Sequence, residues 1–123
     1  MDEIVNIEPL RSPVDLTAVL ARAQEIAREV AAPRAEETDR ERRWPVEAIR
    51  ALQQSGLAGL VVPEEAGGLG FGMAAVAQVC EVLGRECAST ALCFGMHCVA
   101  AAVIASKATA WQRQEYLVPI AEG

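Results

Sequence analysis

The stretch that decides the fold is WPVEAIRALQQSGLAGLVVPEEAGGLGFG, residues 44–72. It contains a helix whose two boundaries are marked in the sequence. Pro45 suits the first turn of a helix, where its missing N–H is not needed, and Gly56 suits the position just after the last turn. We expect the apolar run 57–62, which ends at Pro63, to be buried as an extended segment or a single turn. The stretch therefore predicts a helix, a short buried connection and a glycine-rich loop.

Helical patterns fill the chain on both sides of this stretch. Before it, apolar residues from Leu16 to Val30 recur every three or four positions, as on one face of a helix. Ser12 and Asp15 match a capping box at the start of this helix, and Pro33 breaks or kinks it. After the stretch, the pattern predicts three more helices: Met73–Cys87, a helix from Ser89 or Thr90 to about Ser106, and a last helix that opens with a capping box of Thr109 and Gln112.

The composition fits a bundle of such helices. Apolar residues make up 52% of the 123 residues and aromatic residues 4%. Alanine supplies much of the apolar fraction, which favours helix over strand. The helix that ends near Ser106 is apolar on nearly every side, which is typical of a central helix. We therefore predict an all-α bundle of about five to six helices over residues 12–123, preceded by a flexible N-terminal arm over residues 1–11.

Charge and cysteine usage argue against several classes of partner. The net charge of −6 and the pI of about 4.8 argue against a nucleic-acid surface or an anionic membrane surface. The N-terminus is acidic without the apolar core of a signal peptide, and the apolar stretch Val99–Ser106 is too short to cross a bilayer. The four cysteines lie too close together for a disulfide framework, so we expect free thiols and a cytoplasmic location. They are Cys80, Cys87, Cys93 and Cys98.

The glycines of the loop resemble a phosphate cradle at first sight. A dinucleotide loop has the spacing G-x-G-x-x-G, and a Walker loop carries Gly-Lys-Ser/Thr. This loop has neither pattern, and the chain's sole lysine is Lys107. Glu64 and Glu65 precede the glycines and would repel an anion. We therefore expect a structural corner between the apolar run and the helix from Met73.

No catalytic or metal-binding constellation stands out. Cys93 and His97 are four residues apart and share a helix face, so a Cys/His metal site is conceivable, but no C-x-x-C or H-x-x-x-H pair occurs. We expect His97 to be a hydrogen-bonded core or pocket residue and the cysteines to be small core residues. The carboxylates at 36, 37, 39 and 41 are typical of a solvated face. We assign no catalytic, cofactor-binding or metal-binding residue.

The order of these features resembles the opening of the acyl-CoA dehydrogenase family. Members of that family typically show a proline near a helix end, an aspartate in an acidic stretch, an aromatic–proline pair, a Ser-Gly-Leu helix end and a Val-Pro-Glu-Glu-x-Gly-Gly-x-Gly loop. The corresponding residues here are Pro33, Asp39, Trp44-Pro45, Ser55-Gly56-Leu57 and Val62–Gly70. The resemblance continues through CEVLGRECAST (80–90), His97 and QRQEYLVPIAEG (112–123), and covers about residues 12–123.

The resemblance implies a three-part flavoenzyme, of which this chain corresponds to the first part. In the family, a helical domain is followed by a β-domain and a C-terminal helical bundle, and FAD lies mostly between the β-domain and the C-terminal bundle of a neighbouring subunit. A glutamate in the C-terminal part removes the α-proton of an acyl-CoA thioester, and a hydride passes to the flavin. Those parts are absent from this sequence, so we expect the chain alone to bind no FAD and to be inactive.

The same resemblance implies a substrate-binding role for one helix. The family helix that corresponds to Thr90–Ser106 lies beside the acyl tail, and Ala91, Leu92 and Gly95 match positions that line the pocket. The small residues Ala91 and Gly95 would leave room for the tail, and Leu92 would offer an apolar contact. The alternative is that these residues serve only to pack helices together.

Three functions are open on the sequence alone. The first is the N-terminal domain, or a truncated form, of an FAD-dependent acyl-CoA dehydrogenase, with an acyl-CoA oxidase or a flavin monooxygenase of the same fold as variants. The second is a stand-alone helical interaction module, which self-associates or pairs with the missing domains through an exposed apolar patch. The third is a thiol or metal sensor built on the four cysteines.

Overall fold

The chain folds into five continuous helical segments in the computed structural model, which describes residues 7–123. The first is α1 (Leu16–Ile26), which runs through a π-helical turn (Ala27–Ala31) and a 3₁₀ turn (Ala32–Arg34) into α2 (Ala35–Arg40). The next are α3 (Val46–Gln54), α4 (Met73–Gly84) and α5 (Ala88–Lys107). The last joins α6 (Ala110–Gln112), a π-helical turn (Arg113–Leu117) and α7 (Val118–Glu122). No strand occurs between residues 7 and 123, so the predicted all-α bundle is confirmed.

The start of α1 differs from the prediction. Asp15, and not Ser12, is the N-cap residue, and its carboxylate accepts a hydrogen bond from Ala18 N at 2.8 Å. The predicted capping box is wrong because the Ser12 hydroxyl donates instead to Glu64 in the glycine-rich loop. Of the predicted N-terminal arm, residues 1–6 lie outside the described residues. Within the rest, Leu10 packs against the core and its N–H donates to Ser55 O at 2.8 Å.

Pro33 changes the turns of the first helix without ending it. The helix widens over Ala27–Ala31 and tightens over Ala32–Arg34 before α2 continues. Proline has no N–H to donate and its ring crowds the carbonyl one turn earlier, which accounts for both distortions. At the other end of the chain, the predicted capping box of Thr109 and Gln112 is confirmed, with both of its hydrogen bonds formed.

The apolar run after α3 forms the centre of the core. Gly56, at φ 85°, ends α3 in the left-handed conformation that glycine adopts at little cost. Leu57 and Leu60 are then completely buried. They share one hydrophobic cluster with side chains from α1, α4 and α5, among them Val19, Val79 and Phe94. The short run therefore packs α1 together with α4 and α5, which follow much later in the sequence.

The glycine-rich loop is a corner that holds itself together by backbone hydrogen bonds. Leu69, Gly70 and Phe71 donate their N–H groups to carbonyl oxygens of residues 59–62 at 2.9–3.0 Å. Gly68 comes so close to this run that an added Cβ would lie 2.2 Å from the Val62 carbonyl oxygen. The expectation of a structural corner is confirmed.

α5 lies at a face of the domain and not at its centre. Its buried side carries Phe94, Cys98 and Ala101, and it packs mainly on α4. Its opposite side is open, with Leu92 67%, Met96 61%, Val99 44% and Val103 58% exposed. The prediction of a central helix is therefore wrong, because only one of its two apolar sides belongs to the core.

Gly68→Ala tests the close approach at the corner. The new methyl group would overlap the backbone at Val62, so we expect the free energy of unfolding to fall by about 3 kcal/mol. Gly72→Ala is the matched control, because nothing lies within 4 Å of a Cβ added there, and it should cost about 1 kcal/mol at most, as a cap residue. Urea denaturation followed by circular dichroism measures both. Equal losses for the two variants would contradict this geometry.

Candidate functional site

The open side of α5 carries a continuous row of apolar side chains, which we call the α5 stripe. It consists of Leu92, Met96, Val99 and Val103. They follow one another at spacings of four, three and four residues, so they share one helix face. Residues 88–106 contain no Asp, Glu, Lys or Arg, so the stripe carries no charge of its own. An exposed apolar row of this kind marks a surface that another molecule or domain covers.

A cleft of about 520 Å³ lies at the N-terminal end of the α5 stripe, and we call it the Trp44 cleft. Leu92 lines it from α5, and Trp44 and Pro45 line it from the connection between α2 and α3. Asp39 brings one negative charge to the same cleft, and Arg42 and Arg43 bring two positive charges. This end of the stripe therefore combines exposed apolar side chains with opposite charges.

A second cleft, of about 370 Å³, lies at the C-terminal end of the stripe, and we call it the Tyr116 cleft. Val103 and Ile104 of α5 and Tyr116 of the last helical segment supply apolar walls, and Lys107 adds a positive charge. Tyr116 makes an edge contact with Trp111, with ring centroids 6.2 Å apart. Both aromatic side chains are exposed.

The three predicted substrate-binding residues do not share one environment. Ala91 Cβ lies 3.5 Å from the position of a Cβ added at Gly84, and a Cβ added at Gly95 would lie 3.2 Å from Cys80 Sγ. Ala91 and Gly95 therefore face α4 and are half-buried, and their small size lets α4 and α5 approach closely. Leu92 lies on the open side of α5 instead. The sequence could not separate the two environments, because the position of α4 decides them.

His97 joins α5 to the buried run. Its Nε2 donates a hydrogen bond to the Ala58 carbonyl oxygen at 2.7 Å. Its ring lies tilted against Phe94, with centroids 6.4 Å apart. The expectation of a hydrogen-bonded core or pocket residue is confirmed. Because this nitrogen is bonded to the backbone, the geometry gives His97 a structural role.

The four cysteines are free thiols, and their surroundings make most of them unreactive. Burial raises the pKa of Cys80, and burial with the nearby Cys87 raises the pKa of Cys93. Burial with the nearby Cys80 raises the pKa of Cys98 to about 12. A thiol sensor needs a lowered pKa and access to solvent, so these values argue against that function. Between residues 7 and 123, no three His, Cys, Asp or Glu side chains form a group that could hold a metal ion.

The glycine-rich corner offers no anion site. The N–H groups of all residues from Ala66 to Phe71 are donated to carbonyl oxygens of the corner and the adjacent run. A phosphate cradle needs several free N–H groups that converge on one point. The hydrogen bonds that build the corner therefore prevent it from acting as a cradle.

α5 is by length and composition the one helix in residues 7–123 that could cross a membrane. It covers 20 residues and not only the apolar stretch Val99–Ser106 that the sequence pattern suggested. A core helix of a folded domain satisfies the same criterion. Since Phe94 and Cys98 of α5 are buried in the core, the helix is part of the domain's packing.

Comparison with known proteins identifies the fold. Residues 14–123 match the family described as acyl-CoA dehydrogenase, N-terminal domain. The chain belongs to this family. It is 31% identical over 113 residues to the short-chain specific acyl-CoA dehydrogenase of Clostridium acetobutylicum, and 30% identical over 112 residues to acryloyl-CoA reductase (NADH) of Anaerotignum propionicum. A shorter match of 61 residues is 44% identical to the cyclohex-1-ene-1-carbonyl-CoA dehydrogenase of Syntrophus aciditrophicus.

This acyl-CoA dehydrogenase N-terminal domain spans less than a third of the length of these relatives. The first two matches cover 85% of this chain and 30% and 28% of the relatives. The third covers 50% of this chain and 15% of the relative. The family match confirms the resemblance that the order of sequence features indicated.

Titration of the Cys98 thiol should lower the free energy of unfolding of this N-terminal domain at alkaline pH. An unfolded chain releases the thiol proton above pH 9, whereas the folded chain keeps it until about pH 12. The contribution of this thiol to the free energy of unfolding is therefore fully present below pH 9, and it is lost as the pH rises from 9 towards 12. The expected loss from this thiol between pH 9 and pH 10 is about 1 kcal/mol.

The measurement is the free energy of urea unfolding of the native chain and of Cys98→Ala between pH 8 and pH 10, with a reducing agent present. The variant lacks the titrating group, so its stability should fall less steeply with pH. The same decline in both proteins would show that Cys98 is not protected from ionisation.

Proposed function

We propose that this chain is the N-terminal helical domain of an FAD-dependent acyl-CoA dehydrogenase, which oxidises the bond between the α and β carbons of an acyl-CoA thioester. Family membership and the names of two relatives support this class of reaction. The α5 stripe is the observation that links the proposal to particular residues. It offers an uncovered apolar surface of the kind that suits a hydrocarbon tail.

In this proposal α5 supplies one wall of the acyl pocket, at the end distant from the thioester. Leu92 is the contacting side chain, because it is 67% exposed at the head of the stripe. Covering a leucine side chain with hydrocarbon contributes about 1.5–3 kcal/mol. Ala91 and Gly95 act through their small size, since they let α4 lie close to α5. The chain contributes no catalytic base.

FAD is assigned to parts of the enzyme outside this chain. The glycine-rich corner does not fit its diphosphate, because the N–H groups from Ala66 to Phe71 are all donated to backbone carbonyl oxygens of the corner and the adjacent run. Glu64 and Glu65 are also exposed beside it, where they would repel phosphate groups. We therefore derive no step through the flavin from these residues.

The proposal also covers the compartment in which the chain is located and the surfaces with which it associates. The free thiols favour a reducing compartment such as the cytoplasm. The α5 stripe favours self-association, or pairing with the other domains of the enzyme, because an apolar row of this length is costly to leave in water. An acyl-CoA oxidase or a flavin monooxygenase of the same fold is the alternative activity.

The test is an assay of the full protein that carries this domain, with acyl-CoA thioesters of graded length and a dye as electron acceptor. We expect dehydrogenation of the thioester. Leu92→Ala should enlarge the pocket and move the preference in kcat/KM towards longer tails, by about fourfold for each additional methylene group that is buried.

Val103→Ala is the matched control, because it shortens a stripe residue at the opposite end of α5 and should leave the length preference unchanged. Absence of dehydrogenation with every thioester would overturn the proposed activity. Dehydrogenation with the same length preference in Leu92→Ala would overturn only the role of Leu92.

A further inference from the structure

We propose that Lys107 is a site of covalent modification, at which the side-chain amine takes the acyl group from an acyl-CoA thioester bound in the Tyr116 cleft. The inference rests on the proposed function only for the class of the acyl donor. It uses the C-terminal end of α5, whereas the proposed acyl pocket of the enzyme uses Leu92 at the other end. The two sites therefore do not compete for the same side chains.

The nucleophile is the one lysine of the chain. Lys107 is the last residue of α5, and its side chain is exposed. Between residues 7 and 123, no carboxylate forms an ion pair with its amine. An ion pair would hold the amine protonated and turn it away from a ligand. The Lys107 amine is instead available to attack a carbonyl carbon, as lysine amines do in covalent catalysis.

The Tyr116 cleft supplies an apolar surface directly beside this amine. Lys107 lines the cleft together with Val103 and Ile104 of α5 and the exposed side chain of Tyr116. The cleft volume of about 370 Å³ lies at the small end of the range for ligand pockets. A cleft of this size holds a short acyl tail and leaves the much larger CoA part in solvent. A tail held there keeps its thioester carbonyl group near the amine.

Two hydrogen-bond donors line the same cleft and suit the oxygen of a thioester carbonyl group. The Gln112 Oε1 atom accepts a hydrogen bond from Thr109 N at 2.9 Å, which fixes the orientation of the amide. The Nε2 group of Gln112 is left without a hydrogen-bond partner among residues 7–123, and so is the Tyr116 hydroxyl. When the amine attacks, negative charge develops on the carbonyl oxygen, and donors placed beside that oxygen stabilise it.

The charge at this end of α5 suits an anionic acyl donor. Residues 87–114 contain no Asp or Glu, although the whole chain has a net charge of −6. Arg113 adds a second positive charge beside that of Lys107, and its guanidinium group donates to Ala105 O at 2.7 Å. Positive charge here attracts the phosphate groups of CoA. It also stabilises the thiolate that leaves when the acyl group is transferred.

The reaction needs no reactant besides the thioester. The lone pair of the neutral Lys107 amine attacks the carbonyl carbon and forms a carbon–nitrogen bond. The carbon–sulfur bond then breaks, CoA leaves as a thiolate, and the proton lost by the nitrogen passes to the sulfur. Neither partner is oxidised or reduced. The product is an amide, so Lys107 loses its positive charge and the acyl group covers the apolar walls of the cleft.

Intact-mass spectrometry of the chain incubated with acetyl-CoA or butyryl-CoA tests the modification. A phosphine keeps the thiols reduced, and hydroxylamine then removes any acyl group from the four cysteines. One hydroxylamine-resistant acyl group should appear, peptide mapping should place it on Lys107, and K107R should lack it. Butyryl transfer should be about tenfold faster than acetyl transfer, because the cleft buries two further methylene groups. A peptide of residues 103–111 lacks the folded cleft and should show no such preference.

Gln112→Glu tests whether the cleft takes part in the transfer. Glutamate keeps the oxygen atom that caps the last helical segment, but it has no N–H to donate to the thioester carbonyl. Transfer to Lys107 should therefore slow by at least tenfold. Gln114→Glu is the matched control, because it places the same charge on the same segment in a different cleft, and it should react like the native chain. Circular dichroism confirms that each variant is folded.

Three results would each overturn the proposal. They are a Lys107 that reacts no faster than the peptide, equal rates for the two thioesters, and a native rate in Gln112→Glu. The experiment uses the chain alone without flavin, so its result is separate from the dehydrogenation assay. Acylation of Lys107 would support this site even if the full enzyme dehydrogenated no thioester. Dehydrogenation by an enzyme whose Lys107 stays unmodified would overturn this site alone.

Discussion

The rest of the structure depends on one constraint, the closure of the glycine-rich corner onto the buried run that precedes it. Three N–H groups, of Leu69, Gly70 and Phe71, reach back to carbonyl oxygens of residues 59–62. This closure is possible because Gly68 has no side chain to separate the two segments. It satisfies polar groups beside the core that would otherwise be costly to bury. It also fixes the direction in which α4 leaves the corner.

The position of the candidate site follows from this constraint. α4 leaves the corner and forms the main support of α5, and the small residues Ala91 and Gly95 allow the two helices to lie close together. His97 then joins α5 directly to the buried run through Ala58. With one side of α5 held by these contacts, its other apolar side faces outward. The α5 stripe is thus a consequence of how the core is built, and its surface is available to an acyl tail or to another chain.

The sequence predicted the features that depend on neighbouring residues and missed those that depend on distant ones. Gly56 and the glycine-rich loop carry local signals for a helix end and a turn, and both predictions are confirmed. The cap of α1 was mispredicted because Ser12 is bonded to Glu64, 52 residues away. The open side of α5 could not be foreseen from an apolar pattern that is similar on both sides. The outward position of Leu92 likewise depends on where α4 packs against α5, which the sequence pattern does not show.

Native-state hydrogen exchange of the backbone amides in the corner tests this account most directly. If the closure of the corner is the constraint on which the domain depends, the amides of Leu69, Gly70 and Phe71 should exchange only when the whole domain unfolds. Their opening free energy should then match the free energy of unfolding measured with urea. Rapid exchange of these three amides in a folded domain, while α4 and α5 stay protected, would contradict the account.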